Sequence, residues 1–383
     1  MRSAASLLVA LGLVGCALAP AVPPPEPPWR DAAFGAPGER IAAEDVFALS
    51  EPMHRYLRDE ILPRARGRGR QLALTDALLK HQRPLRLEYD ATTTRNAAQA
   101  FEARAGNCLS LVVMVASFAK ALGLQVEYHS ALLEEHWSRQ GDLLLRSGHL
   151  NVTIGPRAVD ARDGGDPRSV TIDFLPPEQA RHLRARVVDE RTVVAMFMAN
   201  RAAEALVRDR LDDAYAWARA AIRHQPAFLG AHNTLGVVYL RRGDARAAEA
   251  VLRGVLAREP AHTRALANLA LALSADGRDA EAAEVRRTLA RLEPQPPFHF
   301  LSLGMAAMER QDYAVARDWF ARELARDPEL PEVHHALAMA HFRLGDEERA
   351  RTHLARAVAL SATGRERDRY ASKLAWLRGQ RHE

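Results

Sequence analysis

Hydrophobic positions along this chain change their rhythm several times. Leu7 to Val14 form a short apolar run behind the basic start Met1-Arg2, too short to span a bilayer. Cys108 to Leu122 is apolar nearly all round, which predicts a buried helix, with Asn107 as N-cap and Gly123 as stop. Gln125 to His129 reads as a strand leaving that helix. Ser147 to Gly155 alternates with period two and predicts a strand with His149 at its start. Ser169 to Phe174 alternates in the same way and is ended by Pro176 and Pro177. The loop between these strands is polar and carries Asp160, Asp163 and Asp166, so the two strands are expected to pair antiparallel.

Beyond residue 195 the period becomes 34. Pro226, Pro260, Pro294 and Pro328 keep that spacing, and so do Leu235, Leu269, Leu303 and Leu337. Ala248, Ala282, Ala316 and Ala350 form a third column, with Ala214 one period earlier. Gly236, Ala270, Gly304 and Ala338 form a column of small residues. Gly243, Gly277 and Gly345 mark a turn, and Gln311 is the departure in that column. Each unit reads as two helices. The Leu and the small residue sit on the first, the Ala on the second, Gly turns between them and Pro ends the second. A single pair cannot bury its apolar face, so neighbours must stack. The units are 195–228, 229–262, 263–296, 297–330 and 331–364, followed by a capping helix at Glu366 to Leu377 within 365–383.

These columns resemble the tetratricopeptide repeat over residues 195–364. The resemblance implies an all-α solenoid that binds a protein or peptide partner along the concave face. By register that face holds Asn233, Val237, Ala267, Leu271, Leu301, Met305, His335 and Met339. It carries no cluster of Lys or Arg, so a clamp for peptide carboxylates is not indicated. Met305, Met308 and Met339 read as packing residues.

Composition narrows the classes. Of 383 residues, 26% are charged and 48% hydrophobic, which argues against global disorder, and a single N-terminal apolar run excludes a multi-span membrane protein. The net charge of +5 is small for this length, and no basic stripe interleaves with aromatics, so nucleic-acid binding is not supported. Arg64, Arg66, Arg68 and Arg70 read as a solvated loop rather than an anion site. Two cysteines, Cys16 and Cys108, exclude a disulfide-rich scaffold and a Cys-based zinc site.

Leu13-Val14-Gly15-Cys16 resembles the lipobox of bacterial lipoproteins. The resemblance implies a signal peptide over 1–15, cleavage before Cys16, and lipidation of its thiol as a membrane anchor. Residues 16–39 carry Pro20, Pro23, Pro24, Pro25, Pro27 and Pro28 and read as a stiff spacer of about 3.1 Å per residue. Ala17, where inner-membrane lipoproteins of this kind carry Asp, leans toward the outer membrane facing the periplasm.

Residues 40–190 carry the candidate chemistry. Arg104-Ala105-Gly106-Asn107-Cys108-Leu109-Ser110 places Cys108 on the first turn of the buried helix, where unpaired N–H groups and the helix dipole favour a thiolate. With Cys16 consumed by lipid, no second cysteine is left to bridge to Cys108 in an oxidising compartment. The order of Gly106-Asn107-Cys108, His149 and Asp173 is similar to the transglutaminase-like superfamily, which shares its logic with papain-like thiol proteases. The stretch Tyr89-Asp90-Ala91-Thr92-Thr93-Thr94-Arg95-Asn96-Ala97 resembles bacterial members that join this core to tetratricopeptide repeats. The resemblance implies an α+β papain-like core, Cys108 as nucleophile, His149 as its base and acid, and Asp173 as the group that orients the imidazole. His129 and His136 compete with His149, and Asp160 stands second to Asp173. The Cys108 backbone N–H supplies one oxyanion donor and no second donor stands out. Arg95 and Arg104 read as structural or substrate-orienting. No metal or organic cofactor is implied.

The expected function is a lipid-anchored, periplasm-facing thiol enzyme that cleaves or transfers peptide or protein amide bonds, with the repeats recruiting a protein partner. The competing expectation is a non-catalytic scaffold lipoprotein acting in envelope assembly through its repeats. A peptidoglycan amidase is a third, and nothing in the residues selects it.

Overall fold

The computed structural model describes residues 25–80, 87–140, 143–155, 169–174, 185–361 and 364–379. Cys16 with the signal-like run, Asp160, Asp163 and Asp166, and Pro176 with Pro177 lie outside the described residues.

A helical run opens the α+β part as α1 (Glu51–Tyr56), α2 (Leu62–Arg68) and α3 (Arg70–Thr75). The arginine run therefore sits on helices and not on a loop. Its register pairs Arg64 with Glu60 one turn earlier, and Arg70 donates to the Leu122 carbonyl at 2.8 Å. Strand β1 (Glu88–Tyr89) runs parallel to β2 (Ala105–Gly106), and α4 (Ala97–Ala103) lies between them in the chain. Next comes α5 (Cys108–Ala121), whose residues from Cys108 to Ala119 are all buried. That matches its apolar composition on every side. Gly123 turns the chain away with a positive φ of 75°.

A four-stranded antiparallel sheet packs with α5. Its order is β5 (Val170–Ile172), β4 (Leu143–Gly155), β3 (Gln125–Gln140) and β6 (Ala185–Val188). The pair expected from alternation is β4 with β5, in the register Val152↔Ile172. Both long strands exceed the sequence reading: β4 begins at Leu143, not Ser147, and β3 continues to Gln140. Their pairing shifts register between Leu132 and Trp137, and that irregularity interrupts the simple alternation.

The rest is a solenoid of helix pairs. They are α6 (Glu190–Val207) with α7 (Leu211–His224), α8 (Leu229–Arg242) with α9 (Ala245–Arg258), and α10 (Thr263–Ala275) with α11 (Asp279–Leu292). Two more pairs are α12 (His299–Glu309) with α13 (Tyr313–Arg326) and α14 (Pro331–Arg343) with α15 (Glu347–Leu360). The cap is α16 (Gly364–Gly379). Each pair follows its 34-residue unit, and the first starts at Glu190 because Asp189 caps it there, accepting from Thr192 N–H at 2.8 Å. The column of small residues marks close helix approach: at Gly236 an added methyl would meet the Leu252 side chain at 2.8 Å.

One buried cluster runs from Val46 through α5, the sheet and α6 as far as Ala282, so the α+β part and the first three pairs share a core. Among the described residues a second cluster begins at Phe298 and a third joins Ala338 to Leu377.

Residues 25–39, expected as part of the spacer, pack against the repeats instead. Phe34 stacks on Tyr215 with ring centroids 4.0 Å apart and planes 3° from parallel. Tyr239 donates to the Pro28 carbonyl at 2.8 Å, Trp217 donates to Glu39 at 2.8 Å, and Arg30 pairs with Asp244 at 3.0 Å. The segment has aromatic and charged residues among its prolines, and these find partners on α7, α8 and the following turn.

Some register positions assigned to the concave face are covered. Asn233 is buried and accepts from Asn268 at 3.0 Å, Leu301 is buried, and His335 stacks on Tyr370 of the cap. Leu271 and Met305 remain open, at 56% and 49% exposure.

At the turn column Gln311 adopts φ 64°, the same left-handed region as Gly243, Gly277 and Gly345. That conformation costs a non-glycine residue about 1–2 kcal/mol. Gln311→Gly is expected to stabilise the protein by about 1 kcal/mol after the greater freedom of glycine in the unfolded chain is deducted. The check is the thermal unfolding midpoint, with Gln311→Ala as a control that leaves it unimproved.

Candidate active site

The first turn of α5 is fixed from several sides. Asn107 caps the helix, its side-chain oxygen accepting from the Ser110 N–H at 2.9 Å and from the Ser110 hydroxyl at 2.8 Å. Its amide donates to the Thr94 hydroxyl at 2.9 Å, and the Arg95 N–H donates to Ser110 Oγ at 2.8 Å. Gly106 is needed for this approach: a Cβ there would fall 2.6 Å from Ser110 Cβ. Cys108 is thereby held as the first residue of a buried helix, and 8% of its surface is exposed.

His149, Asn151 and Thr153 alternate along β4 with Leu150, Val152 and Ile154, which enter the core. Asp173 follows the end of β5. His149 is 1% exposed, and its Nε2 lies 2.9 Å from Asp173 Oδ2. A carboxylate only accepts, so Nε2 carries the proton and Nδ1 is left for the thiol. Nδ1 is buried without a nitrogen or oxygen partner among the described residues. Burial is the largest influence on this imidazole and disfavours its charge. Hydrogen bonds and charge from Asp173 and Cys108 outweigh it, and the pKa is pushed up to about 9. The three residues read from the sequence are thus brought together.

The competitors are placed differently. His129 pairs with Glu127 at 2.7 Å and faces Thr153, and its ring is not joined to Asp173. The side chain of His136 and the whole of Asp160 lie outside the described residues. Arg95 binds Asp90 at 2.7 Å, and burial of the Asp90 carboxyl is outweighed by Thr92 and Arg95, which hold its pKa below the usual value. That makes Arg95 structural.

Two residues near the centre had no assigned role in the sequence. Asn151 donates to Asp173 Oδ2 at 3.1 Å and so steadies the carboxylate that holds His149. Its signal is its place two residues from His149 on the same strand face. Tyr89 is held opposite Gly106 in the β1–β2 pair, two residues before Cys108. Burial and the Cys108 charge both raise the pKa of its phenol, as does Asp90.

The loop before α4 also ties this centre to the first helix pair. The Thr94 N–H donates to Glu204 at 2.6 Å, Arg201 donates to the Thr94 carbonyl, and Arg201 also binds Glu39. Among the described residues no group of His, Cys, Asp and Glu could hold a metal ion.

Residues 233–297 and 301–365 match the family model of the tetratricopeptide repeat. The solenoid is a tetratricopeptide-repeat array. The match leaves the α6–α7 pair outside it. That pair spends Arg201 and Glu204 on the α+β part. Among solved structures, the chain is similar to a thermophilic tetratricopeptide-repeat protein of Thermus thermophilus, with 21% identity, 47% of this chain and 99% of that one covered, and a TM-score of 0.33. It is similar to pilF of Pseudomonas aeruginosa at 20% identity, covering 50% and 88%, with a TM-score of 0.33. It is similar to yeast Tom70 at 13% identity, covering 49% and 40%, with a TM-score of 0.37. No curated protein matches the chain.

Two outcomes follow from the geometry. In an NMR titration the His149 imidazole is expected to lose its proton near pH 9, and Asp173→Asn should bring the midpoint down, because burial then has less opposing it. The folded value lies above the ordinary 6.5, so the stabilisation from this pair is complete below pH 6.5 and is lost as pH rises through about 9. Separately, Gly106→Ala should destabilise the protein by about 1–3 kcal/mol, read from denaturant unfolding, because backbone and Ser110 must both shift.

Proposed function

We propose that this protein is a thiol enzyme of the transglutaminase-like kind carried on a tetratricopeptide-repeat array, and that it acts on amide bonds of peptides or proteins. The observation that carries the reading is the buried His149–Asp173 pair acting on a cysteine at a helix start. In the proposed reaction Cys108 attacks the carbonyl, His149 gives its proton to the leaving amine, and Asp173 keeps the imidazole oriented. The thioester is then released to water or to an amine, and hydrolysis is the favoured outcome. The repeats recruit the protein that carries the scissile bond, or dock the enzyme in an assembly. The lipobox-like Leu13-Val14-Gly15-Cys16 supports anchoring by a lipid on Cys16 at the outer membrane, facing the periplasm. No helix of the described residues is long and apolar enough to cross a membrane, so none supplies another anchor of that type.

A second reading has its own support. The match to tetratricopeptide repeats is to a binding module, and it speaks for a scaffold lipoprotein whose thiol core is structural.

Iodoacetamide separates the two. For an enzyme, alkylation of Cys108, followed by intact mass between about pH 6 and 8, should outpace that of a free cysteine peptide by about tenfold or more at the acid end. His149→Gln should remove that advantage. For a scaffold, Cys108 should react at the rate of an ordinary or shielded thiol, and His149→Gln should leave the rate unchanged.

A further inference from the structure

We propose that the end of the array formed by α14, α15 and the cap α16 is an acid-sensitive latch, held closed by four neutral histidines and opened when they take up protons. The inference does not depend on the chemistry at Cys108. Its support is a cluster of imidazoles at the joints of these three helices. His334 and His341 belong to α14 and are buried, and His353 belongs to α15. The His353 ring centroid lies 5.3 Å from that of His334 and 5.6 Å from that of His341, with the His341 plane only 11° from parallel. His335, also on α14, turns to the cap, where it stacks on Tyr370 with centroids 5.1 Å apart.

Hydrogen bonds fix where the protons sit. His334 Nε2 lies 3.1 Å from the Pro328 carbonyl, which only accepts, so Nε2 carries the proton and Nδ1 of the neutral ring is bare. That Nδ1 is 3.0 Å from Nδ1 of His353, so His353 is the donor. One extra proton can be taken on His353 Nε2 without disturbing this chain. A proton on His334 Nδ1 sets two N–H groups head to head and breaks the link between α14 and α15. On the other side, His335 Nε2 accepts from the Lys373 ammonium at 2.7 Å. Protonating it removes the acceptor and sets cation against cation between α14 and α16.

The surrounding charges oppose protonation. Arg356 and Arg349 of α15 and Arg317 of α13 face the three-ring cluster, and Lys373 and Arg369 of α16 face His335. Asp346 lies 3.5 Å from His341 Nδ1, but it also pairs with Arg349 at 3.4 Å. Burial first, and these cations and neighbouring rings after it, push His335 and His353 down to about 4 and hold His334 and His341 below the ordinary 6.5. The unfolded chain therefore binds these protons more readily than the folded one. The latch is at full strength above pH 6.5 and loses it as pH falls from there toward about 4. His149 has the opposite sign, so acid favours its pair with Asp173 while it loosens the far end.

The opening is local because the packing is local. Ala338, Ala350, Leu354, Leu374 and Leu377 join α14, α15 and α16 in a cluster separate from the core of the proximal pairs. His232 stands three periods before His334 and makes the same bond, from Nε2 to the Pro226 carbonyl at 2.9 Å, but no second imidazole is bonded to it. The proximal pairs thus serve as an internal control.

Hydrogen exchange of the full chain at pH 7.5 and pH 5, corrected for the intrinsic effect of pH, tests this. Amides of α14–α16 should lose about tenfold or more of their protection at pH 5, and those of α8–α11 should stay within about threefold. His353→Gln keeps a donor for His334, His335→Gln keeps an acceptor for Lys373, and neither glutamine takes a charge. Each variant should retain at least about threefold more protection in α14–α16 at pH 5 than the unaltered chain. Unchanged protection of α14–α16 at pH 5, an equal loss along the whole array, or a loss undiminished in both variants would overturn the proposal. So would NMR titration midpoints of about 6.5 for the His335 and His353 rings of the unaltered chain, a reading that does not depend on either variant folding.

Discussion

A helix buried on every side needs its polar ends answered by protein, and α5 depends on that. Its first turn brings unpaired N–H groups into the interior, and water is not at hand to take them. Asn107 takes one, and Thr94 and Ser110 hold Asn107 in turn. At the other end Arg70 reaches the Leu122 carbonyl. With both ends answered, residues from Cys108 to Ala119 can all be apolar or small and still pack with sheet, α4 and α6. The thiol's position is a by-product of that solution, because Cys108 is the residue directly after the cap.

The imidazole faces a contest of the same kind. Burial alone would keep His149 neutral at physiological pH. The carboxylate of Asp173, steadied by Asn151, and the thiol on the other side reverse that sign. The charged form of His149 therefore depends on Asp173, held at the junction of β4 and β5, and on the Cys108 thiol, both acting against burial. The same centre is not confined to the α+β part. Glu39, Arg201, Glu204 and Thr94 form a polar line from the N-terminal segment through the first repeat to the cap residue of α5.

Much of this was legible in the chain. Columns at 34 residues gave the helix pairs because stacking demands identical small residues at identical heights. The places of Cys108 at a helix start and of His149 on an alternating strand were legible from the pattern, whereas grouping them with Asp173 came from the resemblance in their order. What escaped reading depends on partners remote in sequence. The packing of Phe34 on Tyr215 pairs residues with no local pattern between them, and proline content alone suggested a free spacer. The arginine run looked like loop because its charge hid a helical register. Tyr89 carried no signal of its own, since its place opposite Gly106 comes from the β1–β2 pairing. Gln311 was visible as an exception in its column, and the backbone there kept the glycine geometry.

The interior does not run unbroken along the solenoid. One cluster closes at Ala282, the next opens at Phe298, and Glu293-Pro294-Gln295-Pro296-Pro297 bridges them. In arrays of this type each repeat feels its immediate neighbour and little else. Among the described residues, one continuous core joins the proximal three pairs to α5, and the distal two pairs pack in clusters of their own beyond the 293–297 link.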